Sequence, residues 1–191
     1  MFGNLAADVD TFTSNVFLCQ GETTALIDVG NDFDVVTRVS DHVDDLDLVI
    51  LTHTHPDHVG ELSAVTDAFD TQVLAFDDSF EGVDRAIVDG ERLTFGGETY
   101  DVVHTPGHKE DHCCFYDPEN RVLFAGDLVF ANGAFGRTDL AGADRNTLIE
   151  SIDRLLDHVD EPLEAMYAGH GPVVTEDVYE NIQRAAQAAR F

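Results

Sequence analysis

Three histidines and an aspartate stand within six residues of one another in the stretch Thr52-His53-Thr54-His55-Pro56-Asp57-His58. Imidazole nitrogens and carboxylate oxygens are ligands that zinc, iron and manganese share in proteins. Placing three imidazoles and an acid together is costly unless something binds them. The cluster is internal and interrupted by other residue types, so it is not an affinity tag. It therefore predicts a metal site.

Three further candidate ligands follow at long intervals, each beside a glycine: His108, Asp127 and His170. Together with the cluster they make seven potential ligands, which is more than a single ion needs. A catalytic zinc is bound by three protein side chains and keeps one position open. Two ions about 3.5–4 Å apart would use all seven side chains. The set therefore predicts a binuclear site.

The elements expected to position these residues alternate between strands and helices. Apolar periodicity predicts strands at 11–19, 23–28, 46–51, 72–76, 99–104, 113–116, 122–125 and 163–168. It predicts helices at 34–43, 60–69, 144–159 and 175–191, and it leaves 77–92 irregular.

The candidate ligands follow several of these strands, and strand ends commonly deliver side chains to one site. Asp144 suits the N-cap of the third helix. No stretch with the composition of an interdomain linker interrupts the alternation of strands and helices. We therefore expect one α/β domain over residues 1–191.

The charge balance is strongly acidic, with 38 acidic and 10 basic residues and a formal net charge of −28. Self-repulsion at this density opposes a compact state, whereas about 1 M salt shortens the Debye length to about 3 Å. We therefore predict a halophilic protein from a high-salt cytoplasm. No basic stripe could neutralise phosphates, so neither nucleic acid nor an anionic membrane surface is expected as a partner.

Cysteine usage and the amino-terminal sequence also indicate the cytoplasm. The three cysteines are odd in number, and two of them, Cys113 and Cys114, are adjacent. A disulfide framework is therefore not expected, and all three are interpreted as small apolar residues. No basic residue precedes Arg38 and no apolar run reaches membrane-spanning length, so neither a signal peptide nor a spanning helix is predicted.

The order of these motifs resembles that of the metallo-β-lactamase-fold hydrolases. The motifs are His53-x-His55-x-Asp57-His58, Thr105-Pro106-Gly107-His108, Gly126-Asp127 and Gly169-His170-Gly171-Pro172. The resemblance implies an αββα fold, in which two mixed sheets pack face to face with helices outside. The chain ends about twenty residues after His170, so we expect no counterpart of the C-terminal helical domain of full-length glyoxalase II.

The resemblance also implies a role for each candidate ligand. The first metal would be held by His53, His55 and His108, the second by Asp57, His58 and His170, and Asp127 would bridge both. Asp57 and Asp127 would be the catalytic carboxylates, and Asp28 would orient a ligand histidine. A bridging hydroxide would attack a carbonyl carbon, with two zinc ions as the first expectation and iron or manganese as alternatives.

Two segments place the chain nearest to the glyoxalase II-like, or hydroxyacylglutathione hydrolase-like, branch: Gly126-Asp127-Leu128-Val129-Phe130 and Gly136-Arg137-Thr138-Asp139. That resemblance implies hydrolysis of a small-molecule thioester. Without the helical domain, a thiol carrier other than glutathione is also open. Arg137 would either bind a substrate carboxylate or pair with Asp139, and both alternatives stay open.

Other functions remain open at this point. Persulfide dioxygenases share the second segment and hold one iron with two histidines and an aspartate, here His53, His108 and Asp127. Hydrolysis of a lactone or another ester is a further alternative. A metal-binding protein without turnover is disfavoured because no ligand position is substituted. The segment Lys109-Glu110-Asp111-His112 departs from the pattern of many relatives, and His112 could be either a packing residue or a ligand.

Overall fold

The computed structural model describes residues 2–191. Its chain forms two compact units. The first contains the residues up to Ile87 together with Leu93–Thr99, and the second contains Val88–Arg92 and Tyr100–Phe191. The mixed α/β character and the two mixed sheets that the sequence predicted are confirmed. Whether the chain functions as one domain stays a prediction.

The first unit is built on a six-stranded sheet, in which the strands are neighbours in sequence order. The strands are β1 (Phe2–Asn4), β2 (Phe17–Cys19), β3 (Ala25–Ile27), β4 (Leu48–Ile50), β5 (Gln72–Ala75) and β6 (Arg85–Ala86). The first three run antiparallel to one another, and β3 to β6 are parallel. The helices are α1 (Val35–Ser40), α2 (Pro56–Val59) and α3 (Leu62–Ala68).

Strands β3 and β4 are almost wholly buried, which explains why they consist of apolar residues with little alternation. Helix α1 begins where the Asp34 side chain accepts the Thr37 N–H at 3.0 Å. Val35 and Val39 of this helix join the apolar core of the first unit. Parallel β4 therefore ends at a fixed point, directly before the histidine cluster.

A second sheet has the strand order β11-β10-β9-β8-β7. Its strands are β7 (Arg92–Phe95), β8 (Glu98–His104), β9 (Cys113–Asp117), β10 (Val122–Gly126) and β11 (Ala165–Ala168). Strands β8, β9 and β10 are antiparallel, and β11 runs parallel to β10. Because β10 and β11 are parallel neighbours, their carboxyl ends lie side by side.

The second unit also contains α4 (Arg145–His158), α5 (Val178–Ala188) and a short 3₁₀ turn at Ala131–Gly133. The predicted N-cap of α4 is confirmed, since the Asp144 side chain accepts the Thr147 N–H at 2.7 Å. Residues on the inner faces of α4 and α5, including Leu148, Ile152 and Ile182, pack into the apolar core of this unit.

Some predicted boundaries were wrong. The segment 77–92 is not wholly irregular, because it contains β6 and the start of β7, whose short, charged sequences carry little periodic signal. Residues 11–16 are not a strand; the Ser14 N–H instead donates to the carbonyl of Asp57 at 3.0 Å. The last helix is shorter than 175–191 at both ends. Within residues 2–191, no helix has the length and apolar character needed to cross a membrane.

Candidate metal centre

The histidine cluster in the first unit is arranged by a proline-initiated turn of helix. Pro56 occupies the first position of α2, where its fixed φ suits a helix, and it keeps His55 extended at φ −74° and ψ 148°. Asp57 and His58 therefore stand on one helical turn, whereas His53 and His55 come from the extended segment before it. His53 and His58 are almost completely buried.

Within this cluster, Nε2 of His53 and Nδ1 of His55 lie 3.0 Å apart. Two nitrogens bound tetrahedrally to one zinc at about 2.0–2.1 Å would lie about 3.3 Å apart. Nε2 of His58 lies 3.9 Å from Oδ2 of Asp57. The spacing and the types of donor therefore fit a divalent metal ion.

Asp28 contacts His58 at the buried side of the cluster. Its Oδ2 lies 2.7 Å from Nδ1 of His58 and accepts the Thr52 hydroxyl at 2.8 Å, while Oδ1 accepts the Thr52 N–H at 2.8 Å. A carboxylate accepts these bonds, so the proton of His58 is on Nδ1 and the Nε2 lone pair is available to a metal. Asp28 was expected to orient a ligand histidine, and its contact with Nδ1 of His58 has the geometry that this role requires.

In the second unit, one carboxylate oxygen stands between two imidazoles. Oδ2 of Asp127 lies 3.5 Å from Nε2 of His108 and 3.5 Å from Nε2 of His170. Asp127 directly follows β10, and His170 follows β11. The two strand ends are joined by a hydrogen bond, in which the Gly169 N–H donates to the carbonyl of Gly126 at 2.7 Å. The parallel pairing of these strands thus brings together Asp127 and His170, which are forty-three positions apart in the sequence.

His108 is held in a single tautomer by the loop that follows Asp127. Its Nδ1 lies 2.9 Å from the carbonyl oxygen of Arg137, so Nδ1 donates and Nε2 keeps its lone pair. The loop approaches closely because residue 136 is glycine. A Cβ on Gly136 would lie 2.1 Å from the carbonyl oxygen of Asp127 and 3.1 Å from Cβ of His108.

His112, whose role the sequence left ambiguous, contacts the backbone of the candidate ligand Asp127. It is fully buried, its Nε2 accepts the Asp127 N–H at 2.9 Å, and its Nδ1 lies 2.8 Å from the hydroxyl of Thr105. His112 therefore holds the backbone of Asp127. The one signal in the sequence was its place four residues after His108, at the start of a strand.

Arg137 makes the pairing that was one of its two predicted alternatives. Its Nε and Nη2 donate to the two carboxylate oxygens of Asp139 at 2.9 and 2.8 Å, and both side chains are exposed. The hydrogen bond from Arg137 lowers the pKa of the Asp139 carboxyl, aided by a hydrogen bond from the residue's own backbone. Binding of a substrate carboxylate by Arg137 stays a prediction.

All seven predicted ligands belong to groups of histidine and aspartate side chains that could hold a metal ion. Four lie in the first unit and three in the second. Five imidazoles and two carboxylates form a donor set of nitrogen and oxygen, which suits zinc, iron or manganese. This chemistry matches the expected cofactor without selecting one metal.

Comparisons with known proteins show the family to which the chain belongs. A sequence model of the metallo-beta-lactamase superfamily matches residues 9–78 and 72–170. The hydroxyacylglutathione hydrolase of Rhizobium meliloti is 33% identical over 150 residues, which are 77% of this chain but only 57% of that protein. The hydroxyacylglutathione hydrolase GloC of Haemophilus influenzae is 30% identical over 180 residues, covering 81% of this chain and 82% of the other.

Among solved structures, TTHA1623 in a di-iron-bound form is similar at a TM-score of 0.75 and 32% identity. The alignment covers 92% of this chain and 94% of that one. The superfamily match spans most of the chain, and it includes all seven candidate ligands. The chain therefore belongs to the metallo-β-lactamase superfamily, and its relatives include hydrolases of the glyoxalase II type.

Proposed function

We propose that the seven candidate ligands hold two divalent metal ions. One ion is bound by His53, His55 and His108, the other by Asp57, His58 and His170, and Asp127 binds both. The observation that carries this proposal is the position of the Asp127 Oδ2 atom, 3.5 Å from an imidazole nitrogen of each proposed set. A carboxylate so placed can serve two ions.

Divalent ions in such a site would lower the pKa of a bound water to about 7 and polarise a substrate carbonyl. The residues of the chain supply the conditions for this chemistry. Asp28 orients His58. The carbonyl of Arg137 orients His108. His112 holds the backbone of Asp127. Asp57 and Asp127, the proposed catalytic carboxylates, offset the positive charge of the ions. Zinc is the first choice, and the di-iron form of a structure 32% identical supports iron as an alternative.

The proposed reaction is hydrolysis of a small-molecule thioester of the hydroxyacyl-thiol type. Two relatives at 33% and 30% identity are hydroxyacylglutathione hydrolases, and this chain shares their family. The preference for a thioester rests on these relatives, whereas metal-dependent hydrolysis also rests on the donor set. We propose that Arg137 contributes to substrate binding when the substrate carboxylate displaces Asp139.

Metal content and activity measured together test this proposal. The protein, refolded in molar KCl with zinc, manganese or ferrous iron, is assayed for bound metal and for hydrolysis of S-lactoylglutathione. We expect two equivalents of metal and thioester hydrolysis, both lost in Asp127→Ala. One equivalent of iron with oxygen uptake on glutathione persulfide, and no hydrolysis, would overturn it in favour of a dioxygenase. Hydrolysis of a lactone but not of the thioester would support the proposed metal site and contradict the proposed thioester substrate.

A further inference from the structure

Thr105, His112 and Cys114 are fully buried and form one hydrogen-bonded cluster, the buried network, at the end of β10. Nδ1 of His112 lies 2.8 Å from the hydroxyl oxygen of Thr105, which lies 3.4 Å from the sulfur of Cys114. At one end, Nε2 of His112 accepts the Asp127 N–H at 2.9 Å. At the other end, the Cys114 thiol donates to the carbonyl of Ala125 at 3.4 Å. The buried network therefore binds the main chain at two points.

The two main-chain groups fix the direction of every hydrogen bond in the buried network. A backbone N–H can only donate, so Nε2 of His112 accepts from Asp127 and the imidazole proton is on Nδ1. Nδ1 then donates to the oxygen of Thr105, and the Thr105 hydroxyl donates to the sulfur of Cys114. Burial raises the pKa of the Cys114 thiol to about 12. The thiol therefore keeps its proton at neutral pH and donates it to the carbonyl of Ala125.

The buried network spans an irregularity of β10. The pairing of β10 with β9 ends at Phe124, which is opposite Phe115, and the pairing with β11 changes register between Phe124 and Gly126. Gly126 has a positive φ of 48°. Irregularities of this kind re-aim the side chains beside them, often next to a functional site. The carbonyl of Ala125 and the N–H of Asp127 flank Gly126, so the buried network braces the bend that directs Asp127.

The oxygen of Thr105 favours a proton on Nδ1 of His112. The hydroxyl hydrogen is directed to Cys114, so a lone pair of the oxygen faces Nδ1. Without this acceptor, a proton on Nδ1 would be buried and unpaired, which is unfavourable. A proton on Nε2 would avoid that penalty, but it would place two donors against each other at Asp127. Losing the Thr105 oxygen therefore weakens the hydrogen bond that holds Asp127, and not only the packing.

We propose that Thr105 is a positioning residue of the metal centre: its hydroxyl holds His112 in the tautomer that fixes the backbone of Asp127. The sulfur of Cys114 supports this role by accepting the hydroxyl proton. The proposal rests on the proposed function, in which Asp127 binds both ions. Thr105 and Cys114 touch neither metal nor substrate in this scheme, and they act through His112. Hydrogen-bond partners behind a metal ligand orient it and tune the affinity of the site.

The tautomer of His112 tests the proposal in the full chain, both metal-free and loaded with zinc. Nitrogen-15 NMR distinguishes protonated from unprotonated imidazole nitrogens, and the variant His112→Gln identifies the signals of this ring among the nine histidines. We expect the wild type to show the Nδ1–H tautomer alone. Thr105→Val is close in shape but cannot accept a hydrogen bond. In this variant the Nε2–H tautomer should appear, and the Asp127 amide should exchange with solvent about tenfold faster.

Zinc affinity measures the consequence for the metal centre. Competition with a chelator should show binding weakened about tenfold in Thr105→Val. Thr105→Ser, which keeps the hydroxyl, should restore both the affinity and the single tautomer. Ile152→Val is the matched control, because it trims the apolar core of the same unit without removing a polar group. It should leave the tautomer and the zinc affinity unchanged.

A single Nδ1–H tautomer retained in Thr105→Val, or an unchanged zinc affinity despite its loss, would overturn the proposal. If Thr105→Val does not fold, Cys114→Ala tests the same network. Removing the sulfur frees the Thr105 hydroxyl to donate to Nδ1, so the second tautomer should appear, and its absence would also overturn the proposal. If the wild type binds no metal, the proposed function fails, while the tautomer and the exchange of the Asp127 amide still decide the role of Thr105.

Discussion

The carboxylate of Asp28 lies 2.7 Å from Nδ1 of His58, and both side chains are buried. The backbone at Asp28 has a positive φ of 58°, and its two carboxylate oxygens also accept the N–H and the hydroxyl of Thr52. Three donors therefore converge on one acid. This arrangement fixes both the tautomer and the ring orientation of a proposed ligand to the second metal.

Asp28→Asn should weaken the binding of one metal equivalent by about 10- to 100-fold. Asparagine tolerates the positive φ, but its single carbonyl oxygen cannot accept from all three donors. Competition with a chelator during zinc titration of the apoprotein measures the two affinities. Asp32→Asn is the control, because Asp32 is exposed and has nearly the same φ, 56°. Unchanged affinity in Asp28→Asn would contradict the proposed role.

His112→Ala should destabilise the fold more than it impairs chemistry. It leaves the buried N–H of Asp127 without its acceptor and opens a cavity, so we expect a loss of about 2–4 kcal/mol in unfolding free energy. His112→Gln, which can still accept a hydrogen bond, should lose less. Denaturant midpoints at constant metal concentration measure the difference.

The same variants test the ligand assignment. Asp127→Ala should abolish both metal binding and hydrolysis, whereas His112→Ala should retain part of each because no ligand is removed. His42→Ala, at an exposed position, is the control. If His112→Ala and Asp127→Ala lose metal binding and activity equally in the presence of excess metal, the assignment of ligands is wrong.

The elements that the sequence predicted best have signals that are local. Strands β9 and β10, which pair antiparallel, and the helix with Asp144 at its N-cap are encoded by neighbouring residues. The seven candidate ligands were likewise recognisable, because each stands in a short motif at a strand end. Their division between two ions came from family resemblance and remains a proposal.

Contacts between residues distant in the sequence could not be predicted. Asp28 and His58 are thirty residues apart, and His112 reaches Asp127 fifteen residues later. Neither pairing has a periodic signal, because each depends on strand pairing in the folded chain.

Gly136→Ala should lower stability and disturb His108. The new Cβ would lie 2.1 Å from the carbonyl oxygen of Asp127, so the loop must move, at a cost of about 1–3 kcal/mol or more. The movement would also shift the Arg137 carbonyl that holds Nδ1 of His108. Unfolding curves and metal titration measure both effects. Gly3→Ala, with no atom within 4 Å of the new Cβ, should be nearly neutral; equal effects would refute a steric cause.

The three cysteines should be inert in the folded protein and should make it sensitive to alkali. Burial raises the pKa of the Cys19 and Cys114 thiols to about 12, from an ordinary value of 9.0. The unfolded chain therefore loses these protons first, and stability falls as pH rises from about 9 towards 12. At about pH 10, each buried thiol should cost about 1.4 kcal/mol.

Denaturant midpoints at pH 8 and pH 10 measure this loss. Cys19→Ala removes one of the thiols, so its midpoint should fall less between the two pH values than that of the wild type. A disulfide exchange reagent should react with all three thiols only after unfolding. Rapid reaction in the native protein would show that the thiols are accessible and would contradict the burial of all three.

Potassium chloride should stabilise the fold progressively. Most basic side chains already pair with carboxylates, so the greater part of the 38 acids has no cation to offset it. Salt near 1 M shortens the Debye length to about 3 Å and screens this repulsion. Thermal unfolding should shift upwards by about 2–4 °C for each kcal/mol relieved. Sucrose at matched osmolality is the control, and a midpoint as high in dilute buffer as in molar KCl would reject the prediction of salt dependence.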